Sequence, residues 1–421
     1  MFSDGAGSSP DLALCREPSS GLNVHTNMKP RSHSRKGWRG RLLPLAFRII
    51  VTGLALGIIF LAACLWEWHR PLTLPAPTGP HSIGQAIYTW QDNSREASLG
   101  GANRKLIVVV WYPAQSIKEG QPVPYLPPLL AQVAQQGRDP LGQRLDLIQV
   151  HAIAGAPVAL EKMSYPVLIF SPGLGQQPTF YTVLAEELAS QGYVVAGIVP
   201  NGTPIAAQPE DIDDKRVMIW SADILFVIGR LEKLNSDAAS TFGRHLDMDR
   251  VGVFGHSFGG AASIQACSTD SRCKAAVDLD GSVYGSVLND GAQRPIMFLM
   301  GDPVLMPNLP GFRGSRERTE RAMARDNRTI GNILNRSPEG YKFRVHGLWH
   351  KDYTDFALFF DPPSKVARIV GNEIDGQRGL RIVTTYLRQF FDKSLSGARA
   401  PLIDDGNTPY TEVQVEYVAH R

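Results

Sequence analysis

Residues 251–260 read VGVFGHSFGG. Val251–Phe254 is a short apolar run of the kind that forms a strand buried on both faces. Gly255-His256-Ser257-Phe258-Gly259 then spells G-x-S-x-G, and the small-residue segment AASIQAC follows as a helix. The order strand, G-x-S-x-G, helix is the context of a nucleophile elbow. The serine sits on a sharp turn in strained backbone geometry with its hydroxyl pointing outward. Both glycines are needed because a side chain two positions to either side would collide with the neighbouring strand or helix. Ser257 is therefore the expected nucleophile.

Working outward, Leu106–Trp111, Pro166–Phe170, Tyr193–Ile198, Ala275–Leu279 and Pro295–Met300 are further short apolar runs, mostly bounded by Gly, Pro or Asp. Helical patterns lie between and after them, near 179–191, 216–235, 258–268 and 377–393. Strands alternating with helices predict a mostly parallel central sheet with helices on both faces, the α/β-hydrolase architecture that the elbow also requires. The stretches 113–160 and 303–340 are long for connectors and predict a lid or substrate rim. Within the second, 312–327 is basic and reads as a solvated helix face, with contact to anionic headgroups as the rival reading.

A serine nucleophile requires a base, an acid and an oxyanion hole. In this fold the base and acid follow the serine in the order Ser, acid, His. Of ten histidines only His346, His350 and His420 lie downstream. His420 falls near the chain end and His346 within an apparent strand, FRVH. His350 falls in a loop, where a base belongs. The i,i+4 spacing of His346 and His350 is that of a metal pair, but Gly347 and the strand context oppose a helix there. Asp280 and Asp302 each end a strand and are both candidates for the acid; Asp278, inside its strand, is a weaker third. Oxyanion donors are expected from the backbone N–H of Phe258 and from the glycine-rich turn Ser171-Pro172-Gly173-Leu174-Gly175.

The N-terminal region is organised differently. Eight Lys and Arg against three acids in residues 1–48 give that segment +5, leaving −2 for the rest of a chain with net charge +3. The body thus has no basic character that would suggest nucleic acid. Ile49–Trp66 carries no charge and predicts a transmembrane helix; basic residues before it predict a cytoplasmic N-terminus and an exported body. Leu61-Ala62-Ala63-Cys64 also fits a lipobox, which would make Cys64 a lipid-bearing mature N-terminus. Residues 70–81 contain four prolines and predict a stiff spacer. The expected organisation is a disordered basic segment 1–41, a transmembrane or signal-anchor helix 42–68, a Pro-rich linker 69–83, a catalytic domain 84–395 and a C-terminal tail 396–421. Cys267 and Cys273 either pair as a disulfide in an exported domain or remain two thiols.

Four ordered strings, VLIFSPGLGQQPTFYTVLAEELASQGYVVAG, VFGHSFGGA, AAVDLDGS and GLWHKDYTDFALF, resemble the plasma-type (isoform II) platelet-activating factor acetylhydrolases and their bacterial relatives over roughly residues 100–395. The resemblance implies Ser257 as nucleophile, Asp280 rather than Asp302 as acid, His350 as base, and the N–H groups of Leu174 and Phe258 as oxyanion donors. Pro172 and Pro200-Asn201 depart from the human-type enzymes, which carry His and Glu-His there. The activity implied is hydrolysis of a carboxylic ester, a short-acyl phospholipid above all, with no metal or organic cofactor. A cutinase-like polyesterase or general carboxylesterase is the alternative enzyme, and a non-catalytic hydrolase-like binding domain the alternative of another class.

Overall fold

The computed structural model describes residues 36–68, 71–96, 103–117, 120–135, 145–199, 214–303, 313–359, 374–406 and 408–420. Residues 1–35 and the pair Pro200-Asn201 singled out above lie outside them. The chain divides into two units, Met1–Cys64 and Leu65–Arg421.

The first unit contains most of helix α1 (Lys36–Trp68). Within α1, Phe47–Trp66 is 20 residues long, none of it buried, and is apolar enough to cross a membrane. At 1.5 Å per residue that stretch is about 30 Å, the thickness of a hydrocarbon core.

The second unit is built on strands β1 (Leu72–Thr73), β2 (Ser82–Glu96), β3 (Asn103–Ala114), β4 (Ile148–Gln149), β5 (Ile153–Ala154), β6 (Tyr165–Ser171), β7 (Val194–Val199), β8 (Leu246–His256), β9 (Cys273–Leu279), β10 (Ile296–Gly301), β11 (Glu339–Val345) and β12 (Val413–His420). Ten of these form one sheet in the order β12-β11-β10-β9-β8-β6-β7-β3-β2-β5, and β1 pairs with β4 apart from it. From β11 to β7 the neighbours are all parallel; β3 turns antiparallel to both β7 and β2. Parallel strands need crossovers and are covered on both faces, which is why β6 (YPVLIFS) and β7 (VVAGIV) are buried at every position.

The helices are α2 (Pro128–Gln135), α3 (Thr182–Ser190), α4 (Asp214–Ser236), α5 (Phe258–Thr269), α6 (Val287–Asp290), α7 (Arg313–Leu334), α8 (Gly376–Ser396) and α9 (Pro401–Asp404). Alternation along each strand sorts the core into two layers. Val109, Trp111, Leu168 and Phe170 pack with Leu184 and Leu188 of α3 and with Val383, Leu387 and Phe391 of α8. Val108, Val110, Val167 and Ile169 pack with Ile224 and Val227 of α4, Ala261 and Ile264 of α5, and Ile330 and Ile333 of α7. The basic face expected at 312–327 lies on α7, where Arg318, Arg321, Arg325 and Arg328 are exposed.

Two segments differ from the sequence-based expectation. Residues 413–420, set apart as part of a tail, form β12, an edge strand antiparallel to β11. Its sequence VQVEYVAH mixes polar with apolar residues, and Val415 and Val418 are exposed, so it lacks the continuous apolar run that marks the central strands. The proline-rich segment is packed rather than free. Leu74 is buried, and the Thr78 N–H and hydroxyl both donate to the Glu187 carboxylate of α3, at 2.7 and 2.6 Å. Proline fixes the extended backbone there but does not prevent it from docking.

Cys267, near the end of α5, and Cys273, opening β9, form a disulfide.

Candidate active site

The elbow follows from close packing. Ser257 has φ 56° and ψ −123°, and its N–H donates to Leu279 C=O at 2.8 Å. A Cβ on Gly255 would stand 2.2 Å from Gly259 C=O, and one on Gly259 would stand 2.1 Å from Ser171 C=O. Only glycine permits strand β8, helix α5 and the turn after β6 to meet this closely. Among the described residues, positive φ outside glycine occurs at Arg244, Ser257 and Asp280. Two of the three are thus sequence-predicted site residues, and strained backbone of this kind marks functional sites.

His350 arrives on the loop after β11. Its Nε2 is 3.0 Å from Ser257 Oγ, and its Nδ1 is 2.6 Å from Asp280 Oδ2. A carboxylate beside Nδ1 fixes the proton there and leaves Nε2 bare to accept from the serine hydroxyl. Asp280 is itself fixed. Its N–H donates to Leu299 C=O at 3.0 Å, and its Oδ1 accepts Gly301 N–H at 2.9 Å.

The other candidates have different surroundings. Asp302 Oδ2 accepts Gly347 N–H at 2.8 Å, and Oδ1 faces His346 Nδ1 at 3.1 Å. Asp302 thus holds the foot of the loop that carries His350. The other nitrogen of His346 faces Gln414, and among the described residues no group of three His, Cys, Asp or Glu is arranged to hold a metal. Asp278 is fully buried in β9, with Oδ1 accepting Gly281 N–H at 2.8 Å. Burial holds its carboxyl well above the usual carboxylate range. His420 ends β12, with its backbone paired to Glu339.

The turn after β6 closes with Gln176 N–H donating to Gly173 C=O at 2.9 Å, and Gly175 takes φ 73°. This places Leu174 at the turn's first corner, while Phe258 N–H opens α5, where helix amides have no partner within the helix.

Two buried polar side chains support these loops although the sequence offered no signal for their roles. His256, merely the variable residue of the elbow motif, lies between Tyr181 Oη and the His350 carbonyl. Asp355, five residues past His350, accepts Thr182 N–H and Val183 N–H at the start of α3 and the Tyr125 hydroxyl. It is fully buried and ties the histidine loop to the helix behind the turn of Leu174.

Residues 68–200 and 232–402 match the family described as platelet-activating factor acetylhydrolase, isoform II. The chain belongs to this family. Residues 160–290 also match a PET hydrolase-like family. A probable 1-alkyl-2-acetylglycerophosphocholine esterase of Arthroderma benhamiae is 24% identical over 81% of this chain and 92% of its own length. The platelet-activating factor acetylhydrolase of Cavia porcellus is 24% identical over 68% of this chain and 70% of its own. Cutinase est1 of Thermobifida alba is 29% identical over 28% of this chain and 36% of its own. A ferulic acid esterase structure from Streptomyces cinnamoneus shares the fold, with TM-score 0.62 and 24% identity over 83% of this chain and all of that one. This isoform II acetylhydrolase family member is accordingly a carboxylic ester hydrolase.

Proposed function

We propose that this family member hydrolyses short-acyl esters, phospholipids included, with Ser257 as nucleophile, His350 as general base and Asp280 as orienting acid. The observation that supports this best is the unbroken line Ser257 Oγ, His350 Nε2, His350 Nδ1, Asp280 Oδ2, with separations of 3.0 and 2.6 Å. Oγ attacks the ester carbonyl as His350 takes its proton. Asp280 stabilises the imidazolium that results. The oxyanion accepts from the N–H groups of Leu174 and Phe258, each donor contributing about 3 kcal/mol of transition-state stabilisation. His350 then protonates the departing alkoxide, and a water deprotonated by the same imidazole cleaves the acyl-enzyme. No step calls on a metal or organic cofactor. The PET hydrolase-like match over 160–290 favours a second substrate class, polyesters and small esters.

In this reading α1 is an uncleaved single-pass anchor and the catalytic unit works outside the cytoplasm. The basic residues ahead of Phe47–Trp66 support that orientation. So does the Cys267–Cys273 disulfide, which belongs to an oxidising compartment. Cys64→Ser tests the rival lipoprotein: retained membrane association supports the anchor, and release overturns it.

The deciding experiment uses the full chain in detergent with 4-nitrophenyl esters of rising acyl length and a 2-acetyl phospholipid. Turnover that falls with chain length and fluorophosphonate labelling that vanishes in Ser257→Ala are expected. Preference for long acyl chains overturns the short-acyl reading. Absence of both labelling and turnover would indicate a binding domain.

A further inference from the structure

A polar chain runs behind the nucleophile from the oxyanion turn to the base. Gly173 N–H donates to Tyr181 Oη at 3.2 Å, Tyr181 Oη lies 2.8 Å from His256 Nδ1, and His256 Nε2 lies 2.8 Å from the His350 carbonyl oxygen. A carbonyl can only accept, so Nε2 of His256 carries a proton. With the ring neutral, Nδ1 is bare and accepts the Tyr181 hydroxyl proton, and a lone pair of that hydroxyl takes Gly173 N–H. Each polarity follows from the one before it.

The surroundings keep both groups in these states. His256 is 3% exposed. Burial first, and the neighbouring His350 second, lower its pKa well below the ordinary value, so the ring stays neutral. Burial pushes the Tyr181 phenol up, so it keeps its proton. Neutrality matters because the His256 and His350 rings lie 4.6 Å apart, centroid to centroid. A second cation there would oppose the imidazolium that forms on His350 during turnover.

We propose that Tyr181 and His256 are positioning residues that lock the Gly173-Leu174 turn to the backbone of His350, setting the spacing of oxyanion donors and general base on either side of Ser257. The inference rests on the triad reading given above. The tie adds to the other restraints on His350: its side chain is half-exposed, at 52%, Asp280 holds only its Nδ1, Asp302 holds Gly347 and Leu348 ahead of it, and His256 holds the His350 carbonyl itself. Misplacement of a reacting group by about 1 Å can cost on the order of a hundredfold in rate.

The test uses the full chain in detergent with 4-nitrophenyl acetate, each rate divided by active sites counted from end-point fluorophosphonate labelling, so that misfolded protein drops out. Tyr181→Phe and His256→Leu should each lower kcat by at least about tenfold with KM within about twofold. The double variant should lose no more than the worse single one, since either change breaks the same chain. His256→Gln, whose amide can still donate to the His350 carbonyl, should retain more activity than His256→Leu. In the unmutated protein, nitrogen NMR of a histidine-labelled sample should show His256 neutral and protonated at Nε2. Wild-type kcat in Tyr181→Phe and His256→Leu, fully additive losses, or a proton on Nδ1 would overturn the proposal. Turnover surviving in Ser257→Ala would instead overturn the triad, a result these other readouts cannot mimic.

Discussion

Asp280 and His350 stand seventy residues apart in the chain, yet a carboxylate oxygen of one lies 2.6 Å from the ring nitrogen of the other. The contact exists because β9 and β10 are parallel neighbours and β11 lies next to β10, so the loops that follow these strands open at the same edge of the sheet. Asp302, nearer to His350 in sequence, faces His346 and Gly347 instead.

Asp280→Asn should therefore lower kcat on a short 4-nitrophenyl ester by a factor on the order of 10⁴, because an amide leaves the histidine tautomer unfixed. Asp302→Asn, which still offers an oxygen to Gly347 N–H, should cost less than about tenfold. Steady-state kinetics of both variants, side by side, check the assignment. A severe loss in Asp302→Asn alone would show it wrong.

The elbow glycines predict opposite signs from a third glycine. Gly255→Ala and Gly259→Ala put a methyl group 2.2 and 2.1 Å from backbone oxygens, so each should destabilise the fold by about 3 kcal/mol or more. Gly331 sits inside helix α7 with nothing within 4 Å of an added Cβ, so Gly331→Ala should stabilise by about 0.5–1 kcal/mol. Thermal melts in detergent would report all three.

Asp278 predicts a pH dependence of stability. Burial raises its folded pKa well above 3.8, so the folded chain keeps a proton that the unfolded chain releases near pH 4. The folded state then binds more protons than the unfolded one, and stability from this group is fully present below the unfolded value and is lost as pH rises toward the folded one. Asp278→Asn has no such titration. Its unfolding free energy relative to wild type should shift in the variant's favour as pH climbs from 4 through neutrality, as read by denaturant melts at several pH values. A difference that stays flat with pH would contradict this.

Asp355 accepts three donors from two other segments. Asp355→Ala leaves Thr182 N–H, Val183 N–H and the Tyr125 hydroxyl without that acceptor, at about 1–3 kcal/mol for each buried donor that water does not reach. A melting temperature lowered by several degrees is expected, together with reduced kcat, since the histidine loop loses its tie to α3. Asp355→Asn, with one acceptor oxygen kept, should fall between.

Much of the catalytic unit was legible from residue order alone. Continuous apolar runs such as VLIF and LIVVVW announced strands buried on both faces, because only a doubly covered sheet leaves no position for a polar residue. The elbow announced Ser257 because its motif and flanking strand and helix all lie in one short window, although the contact that requires Gly259 is with Ser171 C=O on a distant segment. Less was legible where partners are distant. The strand β12 mixes polar and apolar residues like many surface segments, and Asp355 and His256 carry no local mark of what they hold.

The sequence by itself thus determined the sheet's central strands, the serine, the three downstream histidines and the apolar helix near the N-terminus, each written in a short window whose pattern has a direct steric or solvation cause. Residue patterns left Asp280 and Asp302 both open and the family resemblance favoured Asp280; only the tertiary structure decided that Asp302 secures the loop's foot, that Cys267 and Cys273 are joined, and that Tyr181 and His256 link the turn to the base. Those relations depend on which strand ends become neighbours, and adjacency in a sheet is a property of the whole packed chain rather than of any stretch of it.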